Sequence, residues 1–324
     1  MVRREQMEPG AILTRVASSH LRVGTAQYVL ALQERKVLQA FADYVIQRHY
    51  PECADAEQPY LALLTRVRDQ QAKLIAQWMS VGFIHGVMNT DNMTLAGETI
   101  DYGPCAFMEA YDPQQVFSSI DRRGRYMYQN QPPIGMWNIA RFAETLLPLL
   151  ALPEAEAIAQ ASEVVHGFEQ VYQQHYHALM SAKLGLAATH PQSAQLLEDY
   201  LQLLRHHQVD FTLGFRYLSD ADDTRISALF QHSATWQKWY QQWQQAHTDS
   251  AAAKQQMKQV NPIYIPRNHL LQEVIDAATQ DGDLTPFNRL HKVLASPFTE
   301  READLRYSQP AAQEQQVTRT FCGT

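Results

Sequence analysis

The run F-I-H-G-V-M-N-T-D-N-M-T-L-A-G-E-T-I-D-Y-G, residues 83–103, concentrates side chains able to do chemistry. Asp91 and Asn92 sit together, and Asp101 follows in an Asp-Tyr-Gly turn. Phosphoryl and nucleotidyl transfer need cations to offset phosphate charge, and Mg²⁺ takes hard oxygen ligands of the carboxylate and amide kind. An Asn closing a loop and an Asp opening an Asp-x-Gly turn supply such a pair in phosphotransfer sites. If the chain between them doubles back, Asn92 and Asp101 face one metal site. Asp91 is then left as a base that orients or deprotonates an attacking hydroxyl. Asp-Asn and Asp-x-Gly are also ordinary turn chemistry, and spacing leaves that alternative open.

A second candidate is P-G-A-I-L-T-R-V-A-S-S-H-L-R, residues 9–22. Arg15 and Arg22 stand seven residues apart, which keeps them on one side if the segment is helical. Guanidinium groups are the natural bidentate partners of phosphate, while surface arginines in ordinary salt bridges are the alternative. His166, His175 and His177 have neither metal-ligand spacing nor cysteine partners, and read as a solvated helix surface.

These residues need elements to position them. The polar loop His85–Asn92 leads into a short strand near Met93–Leu95, a turn at Ala96-Gly97-Glu98 and a returning strand at Thr99-Ile100. Around this hairpin the periodicity is helical. Leu30, Val37, Leu38, Phe41 and Val45 predict one helix over 27–50, stopped by Pro51. Leu61, Leu64, Val67, Leu74, Ile75 and Trp78 predict another over 58–79. Pro104, Pro113, Pro132 and Pro133 punctuate an irregular stretch, and a helix with Ile139, Phe142, Leu146 and Leu149 inward resumes over 137–150. The stripe Trp236, Trp239, Tyr240 and Trp243, within 235–245, reads as a packing face. The predicted architecture is mainly α with a small β-hairpin.

Bulk properties narrow the partners. The 324 residues carry 27 Lys and Arg against 34 Asp and Glu, a net charge of −7, with no basic block. That argues against a nucleic-acid partner. No apolar run approaches the ~20 residues that cross a bilayer, and the N-terminus lacks a signal-peptide core, which argues against a membrane. Cys53, Cys105 and Cys322 form no close pair, a usage that suits a reducing cytoplasm.

The blocks P-G-A-I-L-T-R-V-A-S-S-H-L-R-V-G, H-G-V-M-N-T-D-N-M-T-L-A-G-E-T-I-D-Y-G-P and G-R-Y-M-Y-Q-N-Q-P-P-I-G-M-W-N resemble the selenoprotein O (SelO, YdiU) family. So do V-N-P-I-Y-I-P-R-N-H-L and the tail F-C-G-T, so the resemblance runs from residue 9 to the C-terminus. It implies a protein-kinase-like fold that moves AMP from ATP to protein hydroxyls, with the nucleotide flipped relative to ordinary kinases. By motif position it implies Asp91 as the catalytic aspartate, Asn92 and Asp101 as ligands of Mg²⁺ or Mn²⁺, and Arg15 and Arg22 as nucleotide-binding arginines. A Ser, Thr or Tyr hydroxyl of a protein substrate would attack the α-phosphorus and release pyrophosphate.

Family members carry, before the P-G-A-I-L-T-R block, a lobe with a phosphate-binding lysine and its orienting glutamate. The resemblance therefore implies that residues 1–324 form the large, C-terminal lobe with a helical extension, without that small lobe. On this expectation transfer is weakened, and an inactive remnant that binds nucleotide or protein is the alternative. Ordinary phosphotransfer, served by the same aspartates, is a third reading. Cys322 matches the family's C-terminal cysteine or selenocysteine, while Phe117 stands where some bacterial members have a partner cysteine, so a free tail thiol is expected.

Overall fold

Apolar residues at three- and four-residue spacing put most of the chain into helices, as the sequence predicts. The structure, a computed structural model, describes residues 12–247 and 249–321, with the backbone of two short strands, β1 (Val2–Arg3) and β2 (Met7–Glu8). At the centre lies α3 (Pro59–Ser80), started by a proline in its first turn and burying Leu64, Val67, Ile75 and Trp78. It packs against α4 (Gln131–Leu146) and the long α5 (Glu154–Lys183). Gly135 permits the close approach: a Cβ there would overlap Ile75 and lie 2.9 Å from Phe168 Cζ.

The predicted helix over 27–50 is two helices, α1 (Val23–Ala31) and α2 (Arg35–His49). Gln33 breaks them with a φ of +58°, and Pro51 ends α2 as expected. The break sends α1 onto α4 and the Asp91 loop. Because α2 restarts at Arg35, its buried stripe is Leu38, Ala42, Val45 and Ile46, and Val37 faces solvent. The prolines at 132 and 133 do not keep the chain irregular to residue 137. They occupy the first turn of α4, where a missing N–H costs nothing. Ile139, Phe142, Leu146 and Leu149 are buried as predicted.

The β structure is displaced from its predicted place. Met93 and Thr99 form only a single antiparallel bridge. The antiparallel pair is formed by β3 (Phe83–Ile84) and β4 (Ala106–Phe107), which flank the loop, in the register Phe83↔Phe107 and Ile84↔Ala106. The physical reason is competition for backbone groups. Met93 O accepts from Val23 N at 3.0 Å and Leu95 N donates to Leu21 O at 2.9 Å, so one edge pairs with the entry to α1, while on the other edge Thr94 O takes the Gln71 side chain instead of a ladder partner.

Beyond α5 the chain continues in α6 (Ser193–His206), α7 (Phe211–Tyr217), α8 (Thr224–Leu229) and α9 (Ala234–Gln245). The four aromatic residues of α9 are buried. Its indole N–H groups donate to Ser227 Oγ (3.0 Å), Leu196 O (3.0 Å) and Leu184 O (2.9 Å), which satisfies each polar edge inside the core. Next come α10 (Ser250–Val260), α11 (Asn268–Asp276) and α12 (Thr285–Leu294). Arg267, fully buried, ties this last part to the core through Asp210 (2.8 Å) and Glu109 (3.1 Å). Of the three histidines read as solvated on α5, His166 is exposed, whereas His177 bonds Ala188 O at 3.0 Å. No helix among the described residues is long and apolar enough to cross a membrane.

Candidate active site

The loop between β3 and the Asp101 turn is held at many of its carbonyls by side chains of the surrounding elements. Gln131, at the start of α4, donates from Nε2 to Phe83 O (2.9 Å), and its Oε1 accepts from His85 N (2.9 Å). His85 is itself buried; its Nδ1 accepts from Val87 N (3.3 Å), so Nε2 carries the proton and donates to Ile100 O (2.9 Å). Burial pushes the imidazole pKa down, which keeps it in the neutral form this bonding requires. Seven residues along α4 from Gln131, Asn138 donates to Met88 O (2.9 Å). Further on, Gln71 donates to Thr94 O and Tyr50 to Leu95 O, both at 2.5 Å.

Asn92 is buried, and its Nδ2 donates to Val87 O at 3.0 Å, which leaves Oδ1 as the outward acceptor. A continuous chain of bonds therefore links Asn92 through Val87 and His85 to Ile100, the residue before Asp101. Asp101 is half-buried with a φ of +62°, a left-handed conformation that costs a non-glycine residue ~1 kcal/mol or more. Its Oδ1 accepts from Gly103 N at 3.3 Å, the local bonding that makes Asp tolerable there. Burial, with Asp101 nearby, pushes the Cys105 thiol up to about 11, so it is protonated at neutral pH.

Asp91 is exposed in a short turn, Thr90–Asn92, and lies over the first turn of α1. Gly24 makes this possible: a Cβ there would overlap Asp91 Oδ1 and lie 3.1 Å from Cγ. Arg22, just ahead of α1, donates from Nη1 to Asp91 O at 3.1 Å, and its Nε is buried without a partner. Arg22 and Asp91 are thus brought together, with Arg22 gripping the main chain of the loop.

Arg15 is placed differently. Residues 12–21 are not helical, so the seven-residue spacing does not set Arg15 and Arg22 on one helix face. Arg15 is exposed and borders a cleft of about 480 Å³ shared with Val16, Leu74, Glu98, Ile100 and Tyr102. One wall is braced where Ser18 donates from N and Oγ to Glu98, while Arg48 holds Ser18 O at 2.6 Å. The Ser18 hydroxyl bond holds the Glu98 carboxyl below its ordinary pKa.

Among the described residues no three His, Cys, Asp or Glu side chains are grouped to hold a metal on their own. Asn92 Oδ1 and the Asp101 carboxylate would together offer a sparse, all-oxygen donor set. That set fits Mg²⁺, which keeps several waters and is completed by phosphate oxygens. Cys322 lies outside the described residues. Phe117 is buried, and its carbonyl accepts from Thr320 N at 2.8 Å, while Cys53 and Cys105 are unpaired thiols.

Sequence reasoning passed over His85, Gln131, Asn138 and Gly24. The spacing of Gln131 and Asn138 on one helix face was the available signal for the α4 pair. Gly24, next to Arg22, carried none without the fold.

The sequence matches the profile of the family described as "Protein adenylyltransferase SelO" over residues 1–295. It is 51% identical to a protein nucleotidyltransferase YdiU of Rhodopseudomonas palustris (strain BisB5), over 99% of this chain and 67% of that protein. A protein of the same name from Chromobacterium violaceum is 51% identical over 100% of this chain and 70% of its own length. Another, from Cereibacter sphaeroides, is 50% identical, with 100% and 67% covered.

Proposed function

The chain belongs to the SelO family of protein adenylyltransferases, and from that premise we propose that it moves AMP from ATP to a serine, threonine or tyrosine hydroxyl of a protein. The observation that carries the reading is the bonded frame around His85. It fixes the side chain of Asn92 and the backbone before Asp101 to one another, while Asp91 is seated separately on α1.

In this reading the exposed Asp91 carboxylate accepts the proton of the attacking hydroxyl. The hydroxyl oxygen bonds to the α-phosphorus, the bond from that phosphorus to the bridging oxygen breaks, and pyrophosphate leaves with the electron pair. Asn92 Oδ1 and Asp101 would hold the divalent cation, Mg²⁺ or Mn²⁺, which supplies neutralisation of charge on the phosphate oxygens. Arg15, bordering the cleft, is assigned to the triphosphate. Arg22, outside the lining of that cleft, supports the loop through Asp91 O and keeps Asp91 at the reacting hydroxyl. A protein-kinase-like large lobe spanning residues 1–324 as one domain is part of the same proposal, supported by the mainly helical frame around the Asp91–Asp101 loop. So is a reducing, cytoplasmic setting, supported by the two unpaired thiols.

A nucleotide- or protein-binding module without turnover is the second reading. The sparse donor set favours it. The deciding experiment incubates the chain with an acceptor protein, Mg²⁺ or Mn²⁺, and ATP labelled at the α- or the γ-phosphate, beside Asp101→Ala. Transfer of the α-label, lost in the variant, is the expected result. Transfer of the γ-label instead would mean phosphorylation, and nucleotide binding with neither label would leave the binding module.

A further inference from the structure

A group of arginines in the turn before α4 takes no part in the chemistry above. Arg122, Arg123 and Arg125 are exposed in the turn before α4. Arg125 stacks on the Trp137 ring with its guanidinium 4.8 Å from the centroid, and Arg141 approaches the same ring at 5.5 Å. Trp137 is 37% exposed, so the indole is a platform at the surface.

The neighbouring carboxylate does not neutralise this group. Asp121 accepts from Arg125 N at Oδ1 (2.9 Å) and from Tyr126 N at Oδ2 (2.8 Å), so its carboxylate shapes the turn through main-chain bonds. Arg141 pairs with Glu144 at 2.6 Å; among the described residues Arg122, Arg123 and Arg125 have no carboxylate at ion-pair distance. In a chain of net charge −7 such a concentration of positive charge is a local exception.

Its position ties it to the site. Asn138, next to Trp137 on α4, donates to Met88 O in the loop ending at Asp91-Asn92. Gln131 and Asn138 hold the loop from the buried face of α4 and Trp137 stands on its solvent face, so one helix carries both the loop support and the platform.

We infer that Arg122, Arg123 and Arg125, in the turn whose Arg125 stacks on Trp137, dock an acidic segment of the protein that carries the target hydroxyl. The inference names a substrate class for the transfer proposed above and rests on that reading. Guanidinium groups match carboxylates bidentately, and stacking on an indole holds Arg125 in place before a partner arrives. Attraction of this kind sets partner choice and encounter rate, and it weakens with salt. The net negative charge of the chain weakens non-specific attraction of an acidic protein to the rest of the surface.

The test uses the whole chain and two fluorescein-labelled peptides, each with one tyrosine, flanked by glutamates in one and by glutamines in the other. Fluorescence anisotropy should show the glutamate peptide binding about tenfold more tightly at low salt, with the difference lost at high salt. Arg122→Ala with Arg123→Ala, at two side chains free of aromatic contacts, should reduce binding of the glutamate peptide toward that of its neutral twin. In the α-label assay the same double variant should raise KM for the glutamate peptide about tenfold at unchanged kcat. Asp101→Ala should bind the peptide normally and transfer nothing. Equal binding of the two peptides, or no effect of the arginine substitutions, would overturn the inference while leaving transfer intact. Tighter binding of a single-stranded RNA of equal charge would overturn it in favour of a nucleic-acid surface. Arginine-dependent peptide binding without any transfer would uphold the surface and sink the transfer reading.

Discussion

Gly24 and Asp91 compete for one small space, and only the absence of a side chain at position 24 lets the carboxylate rest over the α1 turn. Gly24→Ala should displace Asp91 and lower kcat about 100-fold, the order expected when a base is misplaced by about 1 Å. Nucleotide affinity, read by calorimetry, should stay unchanged, because Asn92 and Asp101 are held by other bonds. His85 supplies a second residue-level expectation. Its pKa is depressed in the folded chain by burial, so as pH falls below about 6.5 the unfolded chain takes up the proton first. Stability should decline through that range, by at most about 1.4 kcal/mol per pH unit from this group. Denaturant titrations between pH 5 and 8 on the wild type and His85→Phe, which cannot charge, should show the smaller slope in the variant.

At the scale of elements, α4 does two jobs with one face. Its first turn fixes the start of the loop through Gln131, and its third fixes Met88 through Asn138. Gln131→Leu keeps the volume but leaves His85 N and Phe83 O unpaired in the interior. Each orphaned group costs about 1–3 kcal/mol, so thermal or urea unfolding should register a loss of about 2–6 kcal/mol. Helix α1 is coupled just as directly: Val23 N, Leu21 O and the Arg22 guanidinium all bond the segment from Asp91 to Leu95. The interruption at Gln33 therefore has a consequence for the site, since an unbroken helix over 27–50 could not present its first turn to Asp91 while packing Leu38 and Val45 inward.

On the scale of the molecule, the surface around the N-terminal segment is unusually apolar. Ile12 is 99% exposed, and Leu13 and Val16 are each 91% exposed, with Tyr102 open beside them at the cleft. Contiguous apolar surface of this kind marks contact sites or self-association. The chain should associate as its concentration rises, and Leu13→Lys with Val16→Lys should shift sedimentation toward monomer. A wild-type chain that stays monomeric at all concentrations would refute this. The chain spans about two thirds of the relatives it matches, so association state bears on any activity measured with it alone.

Much of this was readable before folding, wherever the cause is local. The periodic stripes of α3 and α9 appear in the sequence because a helix repeats every 3.6 residues and the core takes one face. The donor types at Asp91, Asn92 and Asp101 were visible for a similar reason, since oxygen chemistry is a property of the side chain. The resemblance of the blocks around them pointed to the family. What stayed hidden depends on contacts between distant segments. The predicted hairpin loses its ladder because the Gln71 side chain of α3 takes Thr94 O while Met93 and Leu95 bond the entry to α1, and no local propensity announces those partners. Arg22 turns inward to Asp91 O for the same reason: which groups meet is set by how α1 packs against the loop.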